Sequence, residues 1–219
     1  MNDLGTLASR TFDAVVFDMD ETLIRSGPAT LRSWTRWAIE YDLTEEQFEG
    51  TVGRPSAEVV EMLIPEGERE EASRKIEDYE LGDTDDIVPY PGATRALAEL
   101  PRDRVAIATS ATEALMTVRL AAAGLPEPAV KVFIELVERG KPAPDSVLKA
   151  CELLGVEASR VLVVEDAPAG VAGARAAGAA SLGVLTTSSR EALGADGVVG
   201  SLADVAWVVS DDGVRVRLA

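Results

Sequence analysis

The sequence predicts an α/β protein in which a helical segment is inserted into a doubly wound parallel sheet. Short apolar runs typical of buried strands alternate with helical patterns over the second half of the chain, as in parallel β-α-β units. The first apolar run is separated from the second by about 85 residues that show helical patterns and little strand character. With 219 residues, 47% of them apolar, the chain is long enough for a core with a large insertion.

The predicted strands are short runs in which apolar residues dominate. The run at 12–17 ends in Val15, Val16 and Phe17 and is apolar on every side, as expected for a strand buried on both faces. Acidic residues follow it at once, which raises the question of what they do at that end of the strand. The predicted strands are 12–17, 104–110, 130–134, 160–165 and 181–185.

Three helices are predicted between the later strands, over 112–125, 144–155 and 168–178. Each contains a glycine at or near its end, which suits a C-terminal cap, and Pro168 opens the last one at a first-turn position. The single cysteine, Cys151, is expected in the core. The predicted buried faces carry Leu115, Val118 and Ala122 in the first helix, and Val147, Leu148, Cys151 and Leu154 in the second.

The helical insertion is predicted over residues 25–87, so that the core domain consists of 1–24 and 88–219. Residues 82–93 are rich in Gly, Pro and Asp and are expected to form the returning linker. Because the insertion begins just after the acidic residues, it is placed to cover them. Its first helix carries Leu31, Trp34, Ala38 and Tyr41 at helical spacing, and at least two of Trp34, Trp37 and Trp207 are expected in the core.

The composition excludes several classes of function. A net charge of −17 disfavours partners with anionic surfaces, such as nucleic acids and acidic membranes. The chain has no histidine, which excludes imidazole bases and Ser-His-Asp triads, and one cysteine allows no intrachain disulfide. The N-terminus has no signal-peptide pattern, so we expect a cytoplasmic protein. We expect a monomer, with a homodimer as the alternative.

Polar residues at the predicted strand ends form the candidate site. Each has an ordinary structural explanation when taken singly: Ser110 and Glu113 match a helix capping box, Lys141 suits a surface loop, and acids are common in turns. The carboxyl ends of parallel strands meet at one edge, however, so these side chains are expected to converge there. The candidates are Asp18, Asp20, Ser110, Lys141, Glu165 and Asp166.

Converging carboxylates repel one another and raise one another's pKa values unless a cation is present. Oxygen ligands alone suit Mg²⁺, which binds a few carboxylates together with phosphate oxygens of a substrate. A hydroxyl and an ammonium group beside that metal, with a helix N-terminus after Ser110, suit a phosphoryl group. The constellation therefore predicts phosphoryl transfer.

Four stretches in this order and spacing resemble the motifs of the haloacid dehalogenase-like hydrolase superfamily: "DMDET", "ATSAT", "GKPAPD" and "VVEDAPAG". The position and length of the insertion resemble the cap of the superfamily's first subclass. The resemblance covers nearly the whole chain and implies a Rossmann-like core, Mg²⁺ dependence and an aspartyl-phosphate intermediate. Glu21 departs from the commonest pattern, which has glycine at this position.

The resemblance also implies a role for each residue. Asp18 would attack phosphorus, and Asp20 would protonate the leaving alcohol and then deprotonate the hydrolytic water. Ser110 and Lys141 would hold the phosphoryl oxygens. Mg²⁺ would be held by Asp18, the backbone carbonyl of Asp20, Glu165 and Asp166.

The cap sequence "LRSWTRWAIEYDL…TVGRPSAEVVEMLIP" is similar to those of sugar- and polyol-phosphate phosphatases, the group that includes glycerol-3-phosphatase and 2-deoxyglucose-6-phosphatase. In that comparison Arg54 would reach the substrate, whereas its ordinary explanation is a solvated turn. A small phosphorylated metabolite is the expected partner, and a phosphatase for another such metabolite is an alternative.

The same fold also supports functions other than that of a phosphatase. A β-phosphoglucomutase-like enzyme is the main alternative, but the mutases carry a histidine where this chain has Thr30. A haloacid dehalogenase needs no acid like Asp20. A phosphonate hydrolase would need a Schiff-base lysine in the cap, where Lys75 is the only lysine. The alternative from another class is a catalytically silent interaction protein.

Overall fold

The computed structural model describes residues 2–48 and 56–219. Within these ranges six strands form one parallel sheet in the order β5-β4-β1-β6-β7-β8, so the first strand lies in the middle. The strands of the chain are β1 (Ala14–Phe17), β2 (Ile24–Arg25), β3 (Val88–Pro89), β4 (Val105–Ala108), β5 (Val130–Val132), β6 (Val161–Glu165), β7 (Ala180–Val184), β8 (Gly197–Val199), β9 (Val205–Ser210) and β10 (Gly213–Leu218).

Helices cover both faces of the sheet, which confirms the predicted α/β fold. Alternate residues of β1 belong to different apolar clusters: Val15 and Phe17 pack on one face, Ala14 and Val16 on the other. This explains why the first strand is apolar on every side. The helices are α1 (Gly27–Glu40), α2 (Ser56–Leu63), α3 (Arg69–Gly82), α4 (Ala93–Glu99), α5 (Glu113–Ala122), α6 (Asp145–Leu154), α7 (Pro168–Ala177) and α8 (Arg190–Leu193).

The predicted helix ends are confirmed. Gly155 and Gly178 close α6 and α7 in the left-handed conformation, with φ of 69° and 80°, and Gly124 follows α5 with φ of 65°. Pro168 is the first residue of α7.

The predicted buried faces are only partly correct. Leu115, Val147 and Cys151 are buried, but Leu31 is 68% exposed, Leu148 is 45% exposed and Ala122 is exposed as well. In α6 the apolar stripe is wider than the face that is buried, so Leu148 at its edge is exposed while Val147 and Cys151 are buried. The buried stripe of α5 consists of Leu115, Met116, Arg119 and Leu120.

Several elements near the C-terminus were not predicted. β8 adds a further parallel strand beside β7, and β9 and β10 form an antiparallel hairpin outside the main sheet. Trp207 of β9 packs edge-on against Phe17, with ring centroids 5.6 Å apart. Trp207 and Trp37 are both buried, so the prediction of at least two core tryptophans is confirmed.

The insertion leaves the core domain after β2 and returns through β3. These two strands pair antiparallel with each other. β3 lies within the predicted linker 82–93, and the proposed cap limits at 25 and 87 fall at this two-stranded ribbon. The inserted helices enclose an apolar cluster of their own, in which Trp37 donates a hydrogen bond to the backbone of Ala72 over 2.9 Å. Among the described residues, no helix is long and apolar enough to cross a membrane.

Candidate active site

The acidic residues after β1 lie at the carboxyl edge of the sheet. Phe17 is in register with Ile107 of β4 and Val164 of β6, so Asp18 lies between the ends of these two strands. The Lys141 ammonium donates hydrogen bonds to Asp18 Oδ1 and Glu165 Oε1, each over 2.6 Å. All three side chains are at least 88% buried.

Three carboxylates form a compact cluster: one oxygen of each of Asp18, Glu165 and Asp166 lies within 4.8 Å of the others. Asp166 is fixed by Thr22, which donates to Oδ1 over 3.2 Å, and by Thr187, which donates to Oδ2. Glu165 Oε2 accepts hydrogen bonds from the backbone N–H groups of residues 166 and 167. The carboxylates are therefore held in place by the protein.

The pKa values in this cluster are strongly perturbed. Burial, opposed by Lys141 and reinforced by Glu165, raises the pKa of Asp18 to about 7. Burial and the charge of Asp18 raise the pKa of Asp166 to about 6. Burial alone would lower the pKa of Lys141, but Asp18 and Glu165 outweigh it and the pKa is raised.

The cluster fits a divalent metal ion. Three carboxylates face one ammonium group, so the ionised cluster has an excess of two negative charges, and this repulsion adds to burial in raising the pKa values of Asp18 and Asp166. The donors are oxygens, as hard divalent cations prefer, and the sequence contains no histidine to compete with them.

Ser110 lies two residues beyond β4 and is exposed. The capping-box alternative for this serine is wrong, because Thr112 is the N-cap of α5 and accepts a hydrogen bond from the backbone of Leu115. Ser110 therefore does not cap α5, and its contact with the phosphoryl group stays a prediction.

Asp20 lies beside the cluster. Its Oδ1 accepts a hydrogen bond from Ser26 Oγ over 2.6 Å and from Arg119 Nη1 over 2.9 Å. The ordinary explanation of the candidates as unrelated acids in turns does not fit this arrangement. Arg54, the predicted substrate contact, lies outside the described residues.

Glu21 has a structural role that the sequence did not reveal. Its backbone has a φ of 62°, a left-handed conformation that favours the glycine commonly found there. Its Oε1 accepts hydrogen bonds from the backbone N–H groups of Ser26 and Gly27, and its Oε2 accepts one from Tyr90 over 2.6 Å. Glu21 therefore contacts both connections between the core and the inserted helices.

Several polar residues of the site were not predicted from the sequence, among them Thr22, Glu80, Arg119 and Thr187. The one usable signal is Arg119, a charged residue within the apolar pattern "LMTVRLAA" of α5. The others lie far from their partners along the chain, and threonines and glutamates at such positions are common on surfaces.

Fold and site together define an α/β enzyme that carries a cluster of buried carboxylates at the carboxyl edge of a parallel sheet. The chain belongs to the haloacid dehalogenase-like hydrolase family, whose model matches residues 12–178.

Relatives and solved structures agree with this membership. Hexitol phosphatase A of Escherichia coli strain K12 is 37% identical over 169 residues, which are 74% of this chain and 78% of the relative. Glycerol-1-phosphate phosphohydrolase 2 of Saccharomyces cerevisiae is 30% identical and covers 80% of this chain and 75% of its own. A crystal structure of a HAD hydrolase, family IA, variant 3, from Entamoeba histolytica superposes with a TM-score of 0.77 at 27% identity, covering 89% of this chain and 95% of that one. The prediction of a phosphatase of this family is confirmed.

Proposed function

We propose that the protein is a Mg²⁺-dependent phosphomonoesterase for small sugar or polyol phosphates, working through an aspartyl-phosphate intermediate. One observation carries the proposal: the buried Asp18 carboxylate accepts a hydrogen bond from Lys141 beside two further carboxylates. A carboxylate aligned by a cation and shielded from water suits a nucleophile for phosphorus.

Four residues carry the chemistry: Asp18, Asp20, Ser110 and Lys141. A carboxylate oxygen of Asp18 attacks phosphorus, and the bond from phosphorus to the alcohol oxygen breaks. Asp20 gives its proton to the departing alcohol. It then takes a proton from the water that attacks phosphorus, which breaks the bond from phosphorus to Asp18 and releases inorganic phosphate. Ser110 and Lys141 hold the phosphoryl oxygens through both steps.

We assign the metal ligands to Asp18, the backbone carbonyl of Asp20, Glu165 and Asp166. When bound, Mg²⁺ neutralises charge on the transferring phosphoryl group. The assignment is supported by the closeness of the Asp18, Glu165 and Asp166 carboxylates and by the hydrogen bonds that fix Glu165 and Asp166.

Stabilisation by Mg²⁺ should increase with pH. The folded pKa values of Asp18, about 7, and Asp166, about 6, exceed the value of 3.8 for an unperturbed Asp. Without metal, the folded state holds more protons between these limits, so its free energy of unfolding falls as pH rises through them. Bound metal keeps both groups ionised and removes this loss.

The measurement is the melting temperature with excess magnesium chloride and with EDTA, at about pH 5 and about pH 8. We expect a larger magnesium-induced rise at the higher pH. Potassium chloride at matched ionic strength is the control, and an equal magnesium effect at both pH values would contradict the prediction.

The names of the relatives support the substrate class, since they describe hexitol and glycerol phosphate phosphatases. We further propose that residues 25–87 form a cap domain over the site, that Arg54 contacts the substrate from it, and that the enzyme is a cytoplasmic monomer. Lys75 does not suit a Schiff base, because it is engaged in ion pairs with Glu40 and Glu71.

The test is phosphate release from a panel of sugar, polyol and nucleotide monophosphates, with Mg²⁺ and with EDTA. We expect selective turnover of sugar or polyol phosphates that EDTA abolishes. Conversion of β-glucose 1-phosphate to the 6-phosphate would favour the mutase instead. Hydrolysis of none of these esters by a folded, Mg²⁺-binding protein would favour the silent interaction protein.

A further inference from the structure

Arg119 is a buried cation that the assigned chemistry does not use. Its side chain is 5% exposed and lies on the buried stripe of α5, among Leu115, Met116 and Leu120. Burying a guanidinium group costs several kcal/mol unless carboxylates and hydrogen bonds compensate for its lost hydration. The groups that form hydrogen bonds with the Arg119 guanidinium therefore indicate its role.

The guanidinium joins three separate parts of the molecule. Nη1 donates to Asp20 Oδ1 over 2.9 Å, in the loop after β1. Nη2 donates to Thr30 Oγ1 of α1 over 2.9 Å and to Glu80 Oε1 of α3 over 3.0 Å. A rigid, planar fork of donors therefore ties Asp20 to two of the inserted helices at once.

The contacts on Asp20 leave one of its oxygens available. Arg119 and Ser26 both donate to Oδ1, and within residues 2–48 and 56–219 no protein group donates to Oδ2. The Asp20 side chain is 28% exposed, unlike its buried neighbour Asp18. One oxygen is anchored, and the other is open for proton exchange.

A second contact joins the same two regions. Thr112, the N-cap of α5, donates to Glu77 of α3 over 3.1 Å. The first and last parts of α5 thus both contact α3, so Arg119 makes its bond to Glu80 only when α3 lies against α5.

We propose that Arg119 is a positioning residue: it orients Asp20 for proton transfer to the leaving alcohol and makes that orientation depend on docking of α1 and α3. This inference rests on the proposed phosphatase function and deepens it. Asp20 loses its proton to the alcohol oxygen as the bond to phosphorus breaks, and regains one from the attacking water. Arg119 stays protonated and touches neither the substrate nor phosphorus.

The effect of the leaving group on the loss of activity in an Arg119 variant distinguishes a positioning role from a purely structural one. An alkyl phosphate releases a strongly basic alkoxide unless it is protonated, whereas p-nitrophenyl phosphate releases a stable anion that needs no proton. The ratio kcat/KM reports phosphoryl transfer from the ester and is independent of the later hydrolysis of the phosphoenzyme.

For R119M we expect kcat/KM to fall about ten- to a hundredfold on the best sugar or polyol phosphate, and less than about threefold on p-nitrophenyl phosphate. The same variant should show a burst of about one equivalent of nitrophenol, because the base for phosphoenzyme hydrolysis is also misplaced. R119K should recover most of the lost activity, since lysine can donate to Asp20 although it lacks the fork.

Arg95 provides the control. It also bridges two parts of the chain, donating to the backbone of Ala203 and Val205, but lies away from the acidic cluster. R95M should leave the ratio of alkyl to aryl activity unchanged. E80Q, which weakens only the bond to α3, should show a smaller version of the R119M pattern.

Equal losses on both substrates in R119M and R119K, or a change in KM alone, would overturn the positioning role and leave the phosphatase function standing. If the protein without substitutions hydrolyses no phosphate ester, both the positioning role and the phosphatase function are overturned. Circular dichroism of R119M checks folding, and R119K still decides the question if R119M does not fold.

Discussion

Replacing Asp18 with asparagine should reduce phosphate release by at least about a thousandfold, while the protein remains folded. The carboxamide cannot attack phosphorus, so the phosphoaspartate does not form. Folding should survive because asparagine has nearly the same shape and because the change removes one of three mutually repelling carboxylates. Lys141 keeps its hydrogen bond to Glu165 in this variant.

The measurement is kcat on the best substrate of the panel, with circular dichroism and thermal unfolding as checks of structure. Asp103→Asn is the matched control, because Asp103 is an exposed acid in a turn before β4 and should retain full activity. Activity of D18N within tenfold of the unchanged protein would exclude Asp18 as the nucleophile.

Replacing Gly170 with alanine should destabilise the protein by about 2–4 kcal/mol and abolish most of the activity. A Cβ at this position in α7 would lie 1.7 Å from Glu165 Oε1 and 1.9 Å from its Cδ, so Glu165 would have to move. Glu165 would then lose its hydrogen bonds to Lys141 and to the backbone after β6. A buried carboxylate without those partners is costly.

Urea denaturation measures the loss of stability, and magnesium titration measures whether the proposed metal site is lost. Gly82→Ala is the control, since a Cβ on this residue of α3 meets nothing within 4 Å. It should be neutral or stabilise by up to about 1 kcal/mol. If G170A were as stable as G82A, the close packing of α7 on Glu165 would not matter for folding.

The core of the fold and the main candidates for the site could be predicted from local sequence. Strand β1 is recognisable because it is apolar on both faces, and Gly155 and Gly178 mark helix ends by their backbone freedom. The convergence of Asp18, Lys141 and Glu165 follows from the shared edge of parallel strands.

Local sequence did not predict which side of each helix is buried, nor did it predict the C-terminal strands. Leu148 and Cys151 both suit the apolar face of α6, yet only Cys151 meets the sheet. Burial of a helical residue depends on how the whole helix is rotated against the sheet, and the apolar pattern does not show this rotation when the apolar stripe is wider than the buried face. β9 and β10 pair with each other outside the main sheet, so the alternation of strand and helix does not predict them.

The class of fold and the types of side chain at the sheet edge follow from local sequence, because backbone preference and apolar period are local properties of the chain. The hydrogen-bond partners of those side chains follow from tertiary packing alone. Arg119 meets Asp20 across 99 residues, and Tyr90 meets Glu21 across 69. Such contacts depend on how separate elements pack in space. The roles of the buried Arg119 and of Glu21, whose backbone is in the left-handed conformation, therefore follow from their tertiary hydrogen-bond partners.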